Sequence, residues 1–450
     1  MIRPSDRSNP ATMLPMEPPE VDPIRRIFLV SASSISMARY HIETYGCTSN
    51  RGESRAIESA LRDGGHYRAA SSQEADVAIL NTCTVVEKTE TNMLRRAKEL
   101  EEETADLIIT GCMALAQGEE FADIDARVLH WDQVPQAALN GECPTPGPGI
   151  EPILEGVVGI LPIARGCMSN CSYCITKHAT GRVDSPSVEA NIEKARALVH
   201  AGAKELRITG QDTGVYGWDK GERKLPELLE RICAIEGDFR VRLGMANPGG
   251  IHGIHEELSR TFVENEKLYD FIHAPVQSGS DSVLEDMRRQ HRVEKFREII
   301  DTFDRELEYW TLSTDFIVGF PTETEADHEL SMDLLRETRP EKVNVTRFSK
   351  RPKTDAAKMK GLGGTIKKER SKAMSELKRK IVGETYEQMI GDEREVLCVE
   401  PGTGDSVKCR DSAYRQVIVQ NASEYGIEPG EFFDVEVTSH GTMYAFGTPV

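Results

Sequence analysis

The sequence lacks any run of about 18 apolar residues, the length a helix needs to cross a bilayer, so no membrane partner is expected. It also lacks a signal-peptide pattern near its start, where the one apolar run, "IFLV", is too short. Aromatics are sparse at 6%, yet a hydrophobic fraction of 39% still suffices for ordinary buried cores. A disulfide framework is not expected either. Ten cysteines in 450 residues without a secretory signal read as thiols or metal ligands, and a cytoplasmic location follows. Net positive charge is missing as well, the formal charge being −19. That balance argues against nucleic acid unless the basic residues cluster. They do: Arg339 to Lys380 holds 15 Lys/Arg against 4 Asp/Glu, a net of +11 that leaves −30 for the rest. The acidic remainder fits a high-salt cytoplasm or an ordinary acidic enzyme.

What is present is an alternation of strand and helix. Residues 1–36 are Pro-rich and aperiodic, and read either as a disordered extension or as sequence ahead of a true start at Met37. From there "RYHIETYGC", "DVAILNTCTV" and "DLIITGCMA" read as strands, separated by a short helix at "SRAIESALRDGG" and another over Glu87–Glu103. This order predicts a Rossmann-like parallel sheet over 37–140. A Pro/Gly linker over 141–156 follows. Six further strands, "GILPIAR", "ELRITG", "RVRLGM", "YDFIHAPV", "TDFIVGF" and "KVNVTRF", make a partial (βα)6 barrel of TIM type over 157–385. Six units are too few to close an eight-stranded barrel, and ligands belong at the C-terminal strand ends. A basic helix near Ile366–Ile390 leads to 386–450, where "EVLCVE", "QVIVQ", "FFDVEVTS" and "MYAFGTPV" predict a small β-barrel. The class is α/β.

Cys167-x3-Cys171-x2-Cys174 directly follows the first barrel strand. Structural zinc needs a fourth ligand, and His178 is the available one. An iron–sulfur cube normally takes four thiolates, so three leave one iron open to a substrate or cofactor. Cys47, Cys83 and Cys112 each close a predicted parallel strand, in "TYGC", "LNTC" and "ITGC". Such ends share one sheet edge, so three thiols distant in sequence are expected to converge. The competing reading is three small buried residues at strand ends. Cys143, Cys233, Cys398 and Cys409 read as ordinary thiols.

The C-x3-C-x2-C spacing in its strand context resembles the radical S-adenosylmethionine superfamily. That resemblance implies a 4Fe–4S cluster on Cys167, Cys171 and Cys174, with S-adenosylmethionine bound at its open iron and cleaved to a 5′-deoxyadenosyl radical. It also implies cofactor contacts at Tyr173, at Gly210, Gln211 and Asp212 of "TGQD", at Arg242, at Gln277 and Ser278 of "APVQSGS", and at Gly319.

A second three-cysteine set ahead of a radical core, with a small β-barrel behind it, is similar to the methylthiotransferase family over Met37–Val450. The family implies a second 4Fe–4S cluster on Cys47, Cys83 and Cys112, an RNA-binding TRAM barrel, and an electron donor and sulfur source that the sequence does not identify. "CITKHATG", "TGQDTGVYG" and "RLGMANP" resemble its archaeal and eukaryotic branch. That branch acts beside the tRNA anticodon, on adenosine carrying an N6-threonylcarbamoyl group. "RFSKRPKTDAAKMK" resembles the branch's R-P-G-T-P-A-A run but has Lys353 for Gly and Asp355 for Pro. Arg351 or Lys353 is expected to meet the threonyl carboxylate, or else only phosphates. Lys367, Lys368 and Arg370 are expected to grip RNA, or else to form a solvated helix face. Three other readings stay open: another tRNA adenosine as substrate, a ribosomal-protein side chain as substrate, and a zinc-stabilised RNA-binding protein without catalysis.

Overall fold

The computed structural model describes residues 37–84, 87–138 and 151–450. The expected extension 1–36, and Cys143 in the linker, lie outside the described residues. Strands β1 (Arg39–Thr44), β2 (Tyr67–Arg68), β3 (Val77–Thr82), β4 (Leu107–Thr110) and β5 (Arg127–Val128) form one sheet in the order β2-β1-β3-β4-β5, every pairing parallel. β3 and β4 are buried along their whole length, as central parallel strands covered on both faces must be. The short β2 and β5, two exposed residues each, form the edges and carry no pattern that marks them in sequence. Three helices make the crossovers: α1 (Thr48–Asp63), α2 (Glu87–Glu103) and α3 (Gly111–Ala116). α1 starts earlier than its apolar residues suggest, directly at Cys47.

The six expected barrel strands are all present: β6 (Val158–Pro162), β7 (Glu205–Thr209), β8 (Arg240–Arg242), β9 (Phe271–His273), β10 (Thr311–Val318) and β11 (Lys342–Arg347). They pair in parallel as β6-β7-β8 and β9-β10-β11, and single bridges at Val241–Leu268 and Met245–His273 join the halves. Neither sheet pairs β6 with β11, so the barrel stays open. Ile208, Val241, Ile272 and Phe316 share one buried core with helix residues such as Leu228 and Phe296.

The basic helix runs Gly364–Glu387 and leads into a closed five-stranded barrel of β12 (Glu393–Pro401), β13 (Ser406–Asp411), β14 (Gln416–Gln420), β15 (Phe432–His440) and β16 (Ala445–Pro449). β13, "SVKCRD", was not expected as a strand because its outward positions carry Lys408 and Arg410. Its inward Val407 and Cys409 complete the core, with Cys409 directly across from Cys398. The β13–β14 turn is anchored at the floor of the open barrel, where strands begin. Asp270 N donates to Ser412 O (2.9 Å), Lys342 Nζ to Tyr414 O (2.6 Å) and Arg415 Nη2 to Trp310 O (3.0 Å). The opposite end, at the strand C-termini, is left for ligands.

Candidate active site

Cys47, Cys83 and Cys112 follow β1, β3 and β4, which are adjacent in the sheet, so one edge collects all three. Burial raises the Cys112 thiol far above its ordinary range, and the charges of Glu53, Cys47 and Cys83 all act on it in the same direction. Two glycines make this approach possible. A Cβ on Gly46 (φ 137°) would lie 3.0 Å from Cys83 Cβ, and one on Gly111 (φ 89°) 2.2 Å from Asn81 Oδ1. Sequence reasoning missed Asn50, which is 1% exposed and links the three loops. Its Oδ1 accepts from Cys47 Sγ (3.4 Å), and its Nδ2 reaches Asn81 Oδ1 (3.0 Å), Thr82 O (3.3 Å) and Cys112 Sγ (4.0 Å). An Asn three residues beyond a cysteine was the only signal available.

The second triad lies at the mouth of the open barrel. Ser169 N donates to Cys167 Sγ (3.3 Å), and Cys174 N bonds Cys171 O (3.2 Å). Burial raises the thiols of Cys167 and Cys174. Arg289, also missed, donates to Cys171 Sγ (3.6 Å) and to Pro275 O (2.8 Å), and meets Asn247 Oδ1. Asp212 is buried, accepts from Asn247 N (2.9 Å) and Gly214 N (3.1 Å), and is pushed up to about 6 by that burial. Its charge acts on Cys167. Gln211, after Gly210 at the end of β7, accepts from Gly166 N (2.7 Å) and so orders the cysteine loop. Tyr173, next to Cys174, packs against an apolar cluster of Val283, Met287, Phe320, Phe348 and Ala356. Gln277 (φ 75°) bridges to β10, and Gly319 ends that strand.

The segments that carry the two triads are in contact. Ser49 Oγ, two residues past Cys47, meets Thr209 Oγ1 at the end of β7 (3.1 Å). α3, carrying Cys112, packs on the short helix Thr176–Thr180 that follows Cys174. A cavity of about 470 Å³ adjoins this junction between α1 and β6, with Glu53, Arg165 and Gln211 in its wall. The donor set fits iron–sulfur clusters. Cysteine binds metal as the thiolate, so these thiols would give up their protons on taking up a cluster. Among the described residues no three His, Cys, Asp or Glu side chains are already arranged as ligands of a single metal ion.

Several expected residues are placed elsewhere. Arg242 turns away from the barrel mouth to the floor, its guanidinium 4.9 Å from the Phe271 ring and 5.6 Å from that of Tyr414. Ser278 Oγ is used within its own loop and toward Ser331, accepting from Ser280 N (3.2 Å). Arg370 is buried and paired with Glu323 (3.0 Å) and Glu325 (3.0 Å), so its charge is not offered to RNA. Lys367 donates to Phe348 O (3.1 Å), while Lys368 is exposed. Arg351 is buried against Glu90, and Lys353 pairs with Glu119 (2.6 Å), so both cations are already held by carboxylates of this chain. Lys353 has φ 62°, the left-handed region that glycine favours, which explains the Gly of the resembling motif.

The chain is similar to known proteins in sequence and in fold. The radical SAM superfamily matches residues 161–335, and the uncharacterized protein family UPF0004 matches residues 39–131. The probable threonylcarbamoyladenosine tRNA methylthiotransferase of Archaeoglobus fulgidus is 38% identical over 91% of this chain and 98% of its own length. The human threonylcarbamoyladenosine tRNA methylthiotransferase is 29% identical over 91% of this chain and 73% of its own. In fold, the chain is similar to the radical S-adenosylmethionine methyltransferase TsrM from Kitasatospora setae, with a TM-score of 0.54 and 12% identity over 82% of this chain and 79% of that one. The chain is therefore a radical S-adenosylmethionine enzyme, with a 4Fe–4S cluster and S-adenosylmethionine as its cofactors. Within that class it belongs to the threonylcarbamoyladenosine tRNA methylthiotransferase family.

Proposed function

We propose that this enzyme adds a methylthio group at C2 of N6-threonylcarbamoyladenosine, beside the anticodon of cytoplasmic tRNA. The observation that carries the reading is the contact between the segments bearing the two three-thiol sets: Ser49 beside Cys47 meets Thr209, and the helix with Cys112 packs on the helix after Cys174. Cys167, Cys171 and Cys174 would hold the radical-generating cluster and leave one iron without a protein ligand. Tyr173, Gly210, Gln211, Asp212, Gln277 and Gly319 would line the S-adenosylmethionine pocket. Cys47, Cys83 and Cys112 would hold a second 4Fe–4S cluster, where the inserted sulfur is handled. When bound, these groups supply radical chemistry, which an aromatic C–H bond without an acidic proton requires. The chain's own task is to hold S-adenosylmethionine, base and sulfur in register.

The domains would be an N-terminal methylthiotransferase sheet over 37–140, a radical core over 157–385 and a TRAM barrel over 386–450. The last carries 4 Lys/Arg against 12 Asp/Glu, so phosphate contacts must come largely from elsewhere. Arg347, Lys350, Lys360 and Lys368 are exposed near the end of β11 and the start of the basic helix, and supply them. Their joint change to Gln is expected to weaken tRNA binding and flatten its salt dependence. Access to C2 fits an anticodon loop, whose bases can be splayed out. The test gives the reduced, reconstituted enzyme tRNA with and without the threonylcarbamoyl group. Methylthiolation of the first alone is expected; equal reaction of both, or reaction only on isopentenyladenosine, would overturn the reading.

A further inference from the structure

The stretch Arg351–Ala356 touches the surroundings of both triads at once. On one side Ala356 N donates to Ser172 O (2.9 Å), inside the Cys171–Cys174 loop. The other side enters the N-terminal sheet. Arg351 Nη2 meets Glu90 and reaches Thr84 Oγ1 (3.4 Å), the residue directly after Cys83. Gln117 Nε2 completes this buried set with bonds to Thr84 Oγ1 (2.6 Å) and Glu90 Oε1 (2.7 Å). Lys353 Nζ adds a bond to Ala116 O (2.7 Å), at the end of the helix that carries Cys112. Thr84, Gln117 and Arg351 are 0%, 2% and 5% exposed. A buried ion pair contributes little net stability against a well-packed apolar substitute, but in some proteins it fixes one arrangement of the parts it joins.

We infer that Arg351–Ala356 is a positioning strut that sets the separation of the two cysteine triads, so that a radical made at one is used at the other. Arg351 is its central positioning residue. This rests on the function proposed above. A loosened strut leaves each triad intact but lets the N-terminal edge drift from the barrel mouth, and about 1 Å of drift is enough to lose a reaction step.

The test compares wild type with Arg351→Met/Glu90→Gln, which removes both charges and leaves neither buried alone, and with Arg351→Lys. Iron content and S-adenosylmethionine cleavage are expected to hold in the double variant. Methylthiolated tRNA formed per 5′-deoxyadenosine falls about tenfold to a hundredfold, and the spin–spin interaction between the two reduced clusters weakens in its EPR spectrum. Arg351→Lys restores part of both. An unchanged product ratio with an unchanged spin–spin interaction overturns the strut. So does a product loss that only follows the loss of cleavage. If wild type itself makes no methylthiolated tRNA, the functional reading fails separately. The spin–spin interaction, which needs no tRNA, then decides alone: weakened supports the strut, unchanged overturns it.

Discussion

The two cysteine triads solve one problem in opposite ways. Cys167, Cys171 and Cys174 lie within eight residues on one loop, so local backbone alone brings them together. Cys47, Cys83 and Cys112 come from three loops and meet only because β1, β3 and β4 are neighbours in the sheet. The first triad depends on a motif and the second on a fold. Lesions in the sheet should therefore damage the dispersed set and spare the compact one.

The largest effects are expected from the proposed ligands. Replacing Cys167, Cys171 and Cys174 by Ala is expected to abolish S-adenosylmethionine cleavage and leave iron at the N-terminal site. Replacing Cys47, Cys83 and Cys112 leaves cleavage and abolishes methylthiolated product, read by nucleoside mass spectrometry. Full product from the second variant would end the comparison.

Gly111→Ala sharpens it. The added Cβ would sit 2.2 Å from Asn81 Oδ1 and 2.4 Å from Thr82 O, at a φ of 89°. The sheet should lose about 2–4 kcal/mol, seen as earlier thermal unfolding of residues 38–138 by hydrogen exchange. Iron at the dispersed triad falls while cleavage at the compact one persists. Equal loss of both activities would show that the triads do not differ in this way.

Asn50→Ala acts on the same loops more mildly. It leaves Asn81 Oδ1 and Thr82 O without this donor, at about 1–3 kcal/mol. Slower reconstitution of the N-terminal iron, with an unchanged rate at the barrel site, is the expected signature. Lys353→Gly should do least. Relief of left-handed backbone, about 1–2 kcal/mol, offsets the loss of the Lys353–Ala116 O bond, about 0.5–1.5 kcal/mol, and the solvent-exposed pair with Glu119 adds little. Stability within about 1 kcal/mol of wild type is expected by chemical denaturation.

The same contrast explains what the sequence made legible. The compact triad is written in one spacing. The dispersed one could be read because each cysteine ends an apolar strand, and parallel strands share an edge. Asn50 and Arg289 were invisible, since their partners lie far along the chain and neither residue type marks a site by itself. Strand β13 was hidden by the charges of its outward face. Arg351 and Arg370 were read as charges offered to RNA, whereas each is committed to carboxylates inside the fold. Arg242 was expected at the cofactor from its place at a strand end, but its side chain lies against aromatic rings at the floor.

The most direct test of the central claim is iron and sulfide per chain, counted with Mössbauer spectra, in anaerobically reconstituted wild type and the two triple-cysteine variants. Two independent 4Fe–4S sites predict about eight irons and eight sulfides in wild type and about four of each in either variant. About four irons in wild type, or loss of all iron on removing Cys47, Cys83 and Cys112, would contradict the account.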